Sequence, residues 1–143
     1  SLKDGSKKMS KSELSDLSRI NLTDEKDQIL NKIKKAKTDS LPIPSTVKEL
    51  DNRPEARNLI GIYSSLVNST LENSIQDFTG KNFSEFKDKL SQILIDKISP
   101  ISNEIKRLLK DKSYLDKILD DGCKKADSIA SIKIKKIRDI VGF

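Results

Sequence analysis

The chain has 143 residues, of which 34% are hydrophobic and 35% are charged, and its formal net charge at pH 7 is +6. This length and composition favour one domain with a modest core, built from helices that bury one apolar stripe and leave the opposite face in water. A single Cys and the lack of a run of about 20 apolar residues exclude a disulfide scaffold and a membrane span; no signal peptide is visible, and we expect a cytoplasmic protein.

The positive charge is concentrated at the two ends of the chain. Residues 1–40 carry a net +3, residues 41–121 a net −1 and residues 122–143 a net +4. Basic ends favour a polyanion as partner, because binding releases counterions from it. A solvated lysine-rich surface has the same sequence pattern, so both interpretations stay open here.

Histidine is absent from the sequence. Its absence excludes Ser/His and Cys/His catalysis and any His-based metal site, and one Cys cannot form a zinc site of several thiolates. The sequence also has no P-loop and no G-x-G-x-x-G motif. If this chain contributes to a catalytic site, we expect the rest of that site to lie outside it.

The segment Lys8-Met9-Ser10-Lys11-Ser12 is the first with a functional interpretation. Two lysines three residues apart, with hydroxyls beside them, can form a mobile cationic clamp on a polyphosphate and neutralise charge that develops on a leaving group. A solvated loop has the same composition. The chain begins at Ser1 without Met and leads directly into this segment, and we interpret it as a piece cut from a longer protein.

The first predicted helix has Thr23 or Asp24 as its cap, an acidic first turn and a basic last turn, in agreement with the helix dipole. Its apolar stripe consists of Ile29, Ile33 and Ala36. Pro42 and Pro44 prevent its continuation, so the chain up to about Asn52 is expected to be a loop or short extended segment.

A second helix is predicted with Pro54 in its first turn. Its apolar positions recur at helical spacing: Leu59, Ile60, Tyr63, Leu66 and Val67. Gly61 within it indicates either close packing or a tolerated weak position. Thr70 is predicted to cap a short third helix, which Gly80 stops.

A long helical pattern begins at Asn82. Its apolar positions, which we expect to form core, are Phe83, Phe86, Leu90, Ile93, Leu94, Ile98, Ile101, Ile105, Leu108 and Leu109. Pro100 lies within the pattern and should kink or break the helix near Asp96, whose carbonyl loses its donor.

Ser113 is predicted to cap the last helical stretch, which continues after Gly122. Its apolar positions are Tyr114, Leu115, Ile118, Leu119, Ala126, Ile129, Ala130, Ile134, Ile137 and Val141. Lys124, Lys135 and Arg138 lie on another face, because positions 11 residues apart differ by only about 20° around a helix. That face is the candidate polyanion surface, and an ordinary solvated face is the alternative.

Several of these segments together resemble the C-terminal part of a bacterial tryptophanyl-tRNA synthetase, a class I aminoacyl-tRNA synthetase. The residues that carry the resemblance are Ser1-Leu2, Lys8-Met9-Ser10-Lys11-Ser12, Lys32-Ile33, Ala36, Thr38-Asp39-Ser40, Asp121-Gly122, Lys125-Ala126, Ala130, Ile137-Arg138 and Gly142-Phe143. Many class I synthetases share the pentapeptide, but its combination with the Thr-Asp-Ser segment and the terminal helix is narrower. Related tyrosyl enzymes usually vary the pentapeptide and carry a different C-terminal module.

The resemblance implies an all-α helical bundle preceded by the KMSKS loop, as we call residues 8–12 from here on. Residues 1–22 would be the tail of a Rossmann-like catalytic domain, which in this family holds the histidine-bearing motif, and residues 23–143 the anticodon-binding domain. The intact enzyme would activate tryptophan with ATP and Mg²⁺ and transfer it to tRNA(Trp) as a homodimer. On its own, the fragment is expected to bind no cofactor tightly, to hold no metal and to be inactive.

The resemblance also implies roles for single residues. Lys8 and Lys11 would be catalytic and would bind the ATP phosphates, while Met9 would pack behind the loop. Ser10 and Ser12 would bind ATP with them and help to hold the loop closed.

Three residues of the terminal helix, Lys124, Lys135 and Arg138, are the candidates for tRNA contact. Asp127 departs from the basic or small residue of many relatives, which makes a tRNA contact there doubtful, and Cys123 replaces a usual Ala and is expected to be a small packed residue. The alternative function is a free-standing basic helical module that binds RNA or protein without catalysis. A fragment of a tyrosyl-tRNA synthetase is a further alternative.

Overall fold

The structure is a computed structural model that describes residues 1–142; Phe143, from the terminal Gly142-Phe143 pair, lies outside the described residues. The described residues form helices and no strand, which confirms the predicted all-α class. The α-helices are α1 (Lys26–Lys35), α2 (Pro54–Leu66), α3 (Leu71–Gln76), α4 (Phe83–Lys110) and α5 (Lys112–Val141). Two short 3₁₀ turns, Asp16–Ser18 and Val47–Leu50, precede α1 and α2.

The chain divides into two compact units, one from Ser1 to Asn103 and one from Glu104 onward. The first unit contains the hydrophobic core, which α1, α2, α3 and the first part of α4 build together with Leu2 from the start of the chain. Four aromatic rings lie at ring-centroid distances of 5.0–6.0 Å in edge-to-face or tilted contacts, those of Tyr63, Phe78, Phe83 and Phe86. The predicted domain boundary after Leu22 stays a prediction.

The start of α1 differs from the prediction. The cap is Glu25, whose side chain accepts from the backbone of Gln28 while the Gln28 amide oxygen accepts from the Glu25 N–H at 2.8 Å. Neither predicted cap, Thr23 or Asp24, is used, and Asp24 is buried and accepts a hydrogen bond from the Lys32 ammonium instead. Either carboxylate could cap the helix. Asp24 pairs with the buried Lys32 ammonium, which leaves Glu25 as the cap. The predicted apolar stripe of α1 is confirmed, because all three of its residues are buried.

The second and third helices begin where the sequence predicts. Pro54 is the first residue of α2, and the Thr70 hydroxyl accepts from the backbone N–H of Asn73 at 3.2 Å. A Cβ atom at Gly61 would meet nothing within 4 Å. Gly61 is therefore a tolerated weak position, and the alternative of close packing is wrong.

The fourth helix runs without interruption past Pro100, so the predicted break is wrong, while a kink there stays a prediction. Proline removes one backbone hydrogen bond, and the buried side chains of Ile98 and Ser102 on either side stabilise the helix through packing. The core expected along α4 is confirmed only as far as Ile98. Ile101 and Leu109 are 45% and 59% exposed, because the core cluster of the first unit ends with Ile98.

The fifth helix is capped by Asp111 and not by Ser113. Asp111 Oδ1 accepts from the Tyr114 N–H at 3.1 Å and from the Ser113 hydroxyl at 3.0 Å, so a charged acceptor replaces the predicted neutral one. No side chain of α5 is buried, although its apolar positions recur as predicted. Cys123 is accordingly exposed, and the expectation of a packed residue is wrong.

Candidate functional site

The KMSKS loop is part of a longer loop whose two ends are joined by backbone hydrogen bonds. The Leu2 N–H donates to the Ser18 carbonyl at 2.9 Å, and the Leu2 carbonyl accepts from the N–H of Lys37, just after α1, at 2.8 Å. Leu2 itself is 5% exposed and belongs to the core. A loop with adjacent, anchored ends is an Ω-loop, so residues 3–17 project from a rigid base.

The first half of this loop lies against the start of α2 at Gly5. A Cβ atom at this position would overlap the Pro54 carbonyl and the Glu55 Cα, and only glycine permits so close an approach of two backbones. The Asn58 side-chain amide on the next turn of α2 donates to the Ser1 carbonyl at 3.3 Å. The loop therefore leaves the base of α2 in a defined direction.

The five predicted loop residues are all exposed. Ser10 and Ser12 contact each other, with their hydroxyl oxygens 2.8 Å apart and the Ser12 N–H donating to Ser10 Oγ at 3.3 Å. Neither Lys8 nor Lys11 has a hydrogen bond or ion pair with any part of the chain that the structure describes. Met9 is 45% exposed, and its packing behind the loop stays a prediction.

A cavity of about 240 Å³ opens beside the loop. Its lining contains three lysines and two carboxylates among eight residues: Ser1, Lys3, Asp4, Lys7, Lys8, Ser10, Glu13 and Ser18. Ser18 Oγ in its wall is buried and has no hydrogen-bond partner, a state found only there among the described residues. The structure thus brings Lys8 and Ser10 to one cavity, while Lys11 lies outside its lining.

The second half of the loop contacts Arg19, which the sequence analysis did not select. Arg19 Nη1 donates to the Glu13 carbonyl at 3.2 Å and, at 3.5 Å, to the carbonyl of Ser10 within the KMSKS loop. The same guanidinium reaches Asp16 through Nη2 at 3.4 Å and Asn21 Oδ1 through Nε at 3.2 Å. Its side chain is only 21% exposed. Through these contacts one arginine connects the loop backbone to the base of the loop.

Arg19 belongs to a network that surrounds a buried lysine. Lys32 on α1 has a 3% exposed side chain, and its ammonium lies 2.5 Å from Asp16 Oδ2 and 2.6 Å from Asp24 Oδ2. The Asn21 side-chain amide donates to Asp16 Oδ1 at 2.8 Å. The hydrogen bond from Lys32 is the main cause of the lowered pKa of Asp16, and the Asn21 amide adds to it. We call Asp16, Arg19, Asn21, Asp24 and Lys32 the Lys32 cluster.

The Thr38-Asp39-Ser40 segment has a structural role in the described residues. The Asp39 carboxylate receives two parallel hydrogen bonds from Arg53, at 2.7 and 2.8 Å, and Arg53 also donates to the Pro42 carbonyl at 2.9 Å. The guanidinium holds the pKa of Asp39 below its ordinary value. This pair joins the end of α1 to the start of α2, and therefore fixes the base on which the loop stands.

A larger cavity, of about 790 Å³, lies between α1 and α4. Lys87 is in its lining and has its ammonium 2.7 Å from the Ala36 carbonyl and 3.3 Å from the Lys34 carbonyl, where it satisfies acceptors at the end of α1. Burial lowers the pKa of Lys87. This lysine is therefore occupied as a cap of α1.

The three predicted tRNA residues lie on α5 in the second unit. Lys124, Lys135 and Arg138 are exposed and have no ion pair with the described residues. At 100° per residue they fall within about 60° of one another around the helix. The structure therefore places three unpaired cations on one helix face, as the sequence predicts.

Two further features bear on the kind of site. No group of three or more His, Cys, Asp or Glu side chains in residues 1–142 is placed to hold a metal ion. In the same residues, none of the helices combines the length and apolar character needed to cross a bilayer.

The comparison with known proteins identifies the class. The family model described as tRNA synthetases class I (W and Y) matches residues 1–98, which contain the KMSKS loop, α1 to α3 and the first part of α4. The chain therefore belongs to this family of class I tRNA synthetases.

The individual relatives carry a more specific name. The chain is 49% identical to the tryptophan–tRNA ligase of Brucella melitensis biotype 1, 50% to that of Agrobacterium fabrum and 48% to that of Rickettsia felis. Each comparison covers the whole of this chain but only 40%, 40% and 43% of the respective relative. The chain thus spans about two fifths of the length of the curated relatives it matches.

Proposed function

We propose that this chain is the C-terminal part of a tryptophan–tRNA ligase, in which it supplies the KMSKS loop and the anticodon-binding helices. The intact enzyme activates tryptophan with ATP and transfers it to tRNA(Trp). The observation that carries the proposal is the similarity of the whole chain, loop and helices together, to enzymes of that name. It favours this function over a free-standing binding module, and the relatives' name favours the tryptophan enzyme over the tyrosine enzyme.

The chemistry of the loop supports a role at the ATP phosphates. When the tryptophan carboxylate attacks the α-phosphorus, the bond to the bridging oxygen breaks and negative charge moves onto the departing pyrophosphate. Lys8 and Lys11 are cations without partners in the described residues, so their charge is available to that leaving group. Ser10 and Ser12 add hydroxyl donors, and the cavity next to Lys8 gives room for phosphate oxygens.

Mg²⁺ accompanies ATP in the function that the resemblance implies, but the described residues do not fit a protein-held ion. No three His, Cys, Asp or Glu side chains come together there, and Mg²⁺ that accompanies ATP takes most of its oxygen ligands from the phosphates and water. We therefore assign the loop a direct electrostatic role and derive no step through the metal. The homodimer and the cytoplasmic setting are proposed from the same resemblance.

The test of the loop uses a chimera in which this chain replaces the matching part of the Brucella melitensis enzyme. We expect the chimera to catalyse tryptophan-dependent exchange of pyrophosphate into ATP. Lys8→Ala or Lys11→Ala should each lower the exchange rate by about 10²–10³-fold, the effect of removing one preorganised charged donor from a transition state. The isolated 143-residue chain should show no exchange.

The matched control is Lys48→Ala, which removes an exposed lysine from the 3₁₀ turn before α2. It should leave the exchange rate unchanged, and circular dichroism should show that all variants keep their helices. If Lys8→Ala and Lys11→Ala bind ATP and form adenylate as fast as the Lys48→Ala control, the phosphate role of the loop is wrong. Exchange by the isolated chain would contradict the fragment assignment.

We also propose that the terminal helix contacts tRNA phosphates through Lys124, Lys135 and Arg138. Reversing all three charges should weaken tRNA binding and flatten its salt dependence, since each lost phosphate contact removes about 0.7–0.9 from the log–log slope. The matched control reverses three other exposed lysines of the same helix that face elsewhere, Lys125, Lys133 and Lys136. Both triple variants change the net charge equally. Their salt-dependence slopes should therefore differ only if one specific face of the helix contacts tRNA phosphates.

The anticodon role requires sequence information that lysine–phosphate contacts do not carry. RNA bases are read mainly where a loop exposes them, as the anticodon loop does. Exchanging anticodon bases should therefore weaken tRNA binding to the chimera while the salt slope stays nearly constant. Equal binding of all RNAs of the same length would leave only an electrostatic surface and contradict anticodon recognition.

A further inference from the structure

We infer that Arg19 is the positioning residue of the KMSKS loop, which it ties to the buried Lys32 cluster on α1. The inference rests on the proposed phosphate role of the loop, and it adds a residue outside the pentapeptide. The role of Arg19 is mechanical: it holds the loop backbone in place and leaves the contact with phosphate to the lysines.

Arg19 binds a turn that includes Lys11, the second lysine of the KMSKS loop. The Glu13 N–H donates to the Ser10 carbonyl at 3.4 Å, so residues 10–13 form a turn. The carbonyls of both its end residues accept from the same nitrogen, Arg19 Nη1, at 3.5 and 3.2 Å. Arg19 thus binds the turn that contains Lys11 and Ser12 from its backbone side and contacts neither of these side chains.

The other end of the Arg19 guanidinium is anchored at the base of the loop. Its Nη2 pairs with Asp16, which in turn pairs with Lys32 on α1, and its Nε donates to Asn21. Asp16, the direct partner of Arg19, is 51% exposed, while Lys32 and Asp24 behind it are only 3% and 4% exposed, so the anchor reaches the interior through Lys32. Buried charges require partners, and any displacement of the cluster is therefore unfavourable.

Arg19 also balances charge in the cluster. Lys32 alone faces two carboxylates, which leaves an excess of one negative charge, and Arg19 supplies a second cation at Asp16. The contacts with Asp16 and Asn21 hold the guanidinium without any contact from the loop. Its remaining N–H groups reach the turn, so the loop is ordered by a side chain that is also bound at the base of the loop.

The number and geometry of these contacts require an arginine. Five N–H donors in a rigid planar fork can bind a carboxylate, an amide oxygen and two carbonyls at the same time. A lysine ammonium is a point charge that can keep the pair with Asp16 but cannot span the distance to Glu13 as well. Arg19→Lys therefore separates the electrostatic role from the positioning role.

The experiment measures ¹⁵N order parameters of the loop amides in the 143-residue chain. In the unmodified chain we expect the Glu13 amide to be near the rigid value of about 0.85, and in Arg19→Gln to fall below about 0.6. Arg19→Lys should lower it as well. Both variants should shift the urea midpoint only slightly, because Arg19 and Asp16 form a partly exposed ion pair. The matched control is Arg57→Gln, which breaks an exposed arginine–aspartate pair at Asp51 and should leave the loop amides unchanged.

The same variants in the chimera connect order to reaction. Arg19→Gln should lower kcat of pyrophosphate exchange by about tenfold or more and leave KM for tryptophan unchanged, because the loop orients the phosphates only. Unchanged order parameters in Arg19→Gln would overturn the inference whatever the activity. Lower order parameters together with full activity of Lys8→Ala would keep Arg19 as the anchor of the loop and contradict the proposed function instead.

Discussion

Replacing Lys32 by Met tests whether the buried cluster stabilises the base of the loop. The ammonium lies 2.6 Å from Asp24 and 2.5 Å from Asp16, and the side chains of Lys32 and Asp24 are 3% and 4% exposed. Removing the cation leaves the Asp24 carboxylate buried without a positive partner. Breaking a buried pair in this way costs about 3–5 kcal/mol of the free energy of unfolding, against about 0–1 kcal/mol for an exposed pair.

The assay is urea unfolding followed by tyrosine fluorescence. The chain has two tyrosines and no Trp, so a Tyr114→Phe background leaves Tyr63, which is 6% exposed in the core of the first unit, as the reporter. With an m-value of about 2 kcal/mol/M, the expected loss lowers the urea midpoint by roughly 1.5–2.5 M. Two variants act as controls for the cluster, Asp16→Asn and the double change Lys32→Met with Asp24→Asn.

The controls separate charge burial from packing. Asp16 is 51% exposed, so Asp16→Asn should cost less than about 1 kcal/mol. The double change removes both buried charges but keeps an acceptor for the Asn21 N–H, and should recover at least about half of the loss. Two results would contradict a stabilising role of the buried pair: a cost of less than about 1 kcal/mol for Lys32→Met, or a double variant no more stable than Lys32→Met alone.

Two further predictions concern the base of the loop and use the same assay. Gly5→Ala should destabilise the chain by about 1–3 kcal/mol, because its Cβ overlaps the start of α2, whereas Gly61→Ala, whose Cβ meets nothing, should stabilise it by up to about 1 kcal/mol. Equal effects of the two alanines would show that the backbones at Gly5 do not approach closely. The Asp39–Arg53 pair predicts a pH dependence: Arg53 lowers the pKa of Asp39 from its ordinary 3.8, so the stabilisation is complete above that value and is lost as the pH falls through the lower folded pKa. Asp39→Asn should therefore flatten the decline of the urea midpoint below about pH 4, and an unchanged decline would exclude a stabilising role of the pair.

Local patterns in the sequence determined most of the helical framework. Pro54 and Thr70 mark the starts of α2 and α3 through interactions within one turn, and the apolar stripe of α1 follows from a period of 3.6 residues. The KMSKS loop was recognisable because its five residues are contiguous. Such signals depend on neighbours a few positions away, and a single sequence contains them completely.

The burial of Lys32 could also have been predicted from the apolar pattern of α1. Lys32 occupies a position on the apolar stripe of α1, three residues after Ile29 and next to Ile33, and all three side chains are buried. A lysine on a buried stripe predicts a carboxylate partner, because a buried charge requires one. The sequence pattern does not identify that carboxylate. Only the fold shows that Asp24 pairs with Lys32 and does not cap α1.

Only the tertiary structure decided the contacts that form the base of the loop. Arg53 meets Asp39 across 14 positions, the Leu2 carbonyl meets the Lys37 N–H across 35, and Gly5 lies against Pro54. Arginine, glycine and a backbone carbonyl carry no local sign of such partners, since loop closure over these distances depends on the packing of the whole core. Periodicity likewise predicted the apolar stripes of α4 and α5, but burial needs a second surface, and in the described residues the core reaches only to Ile98.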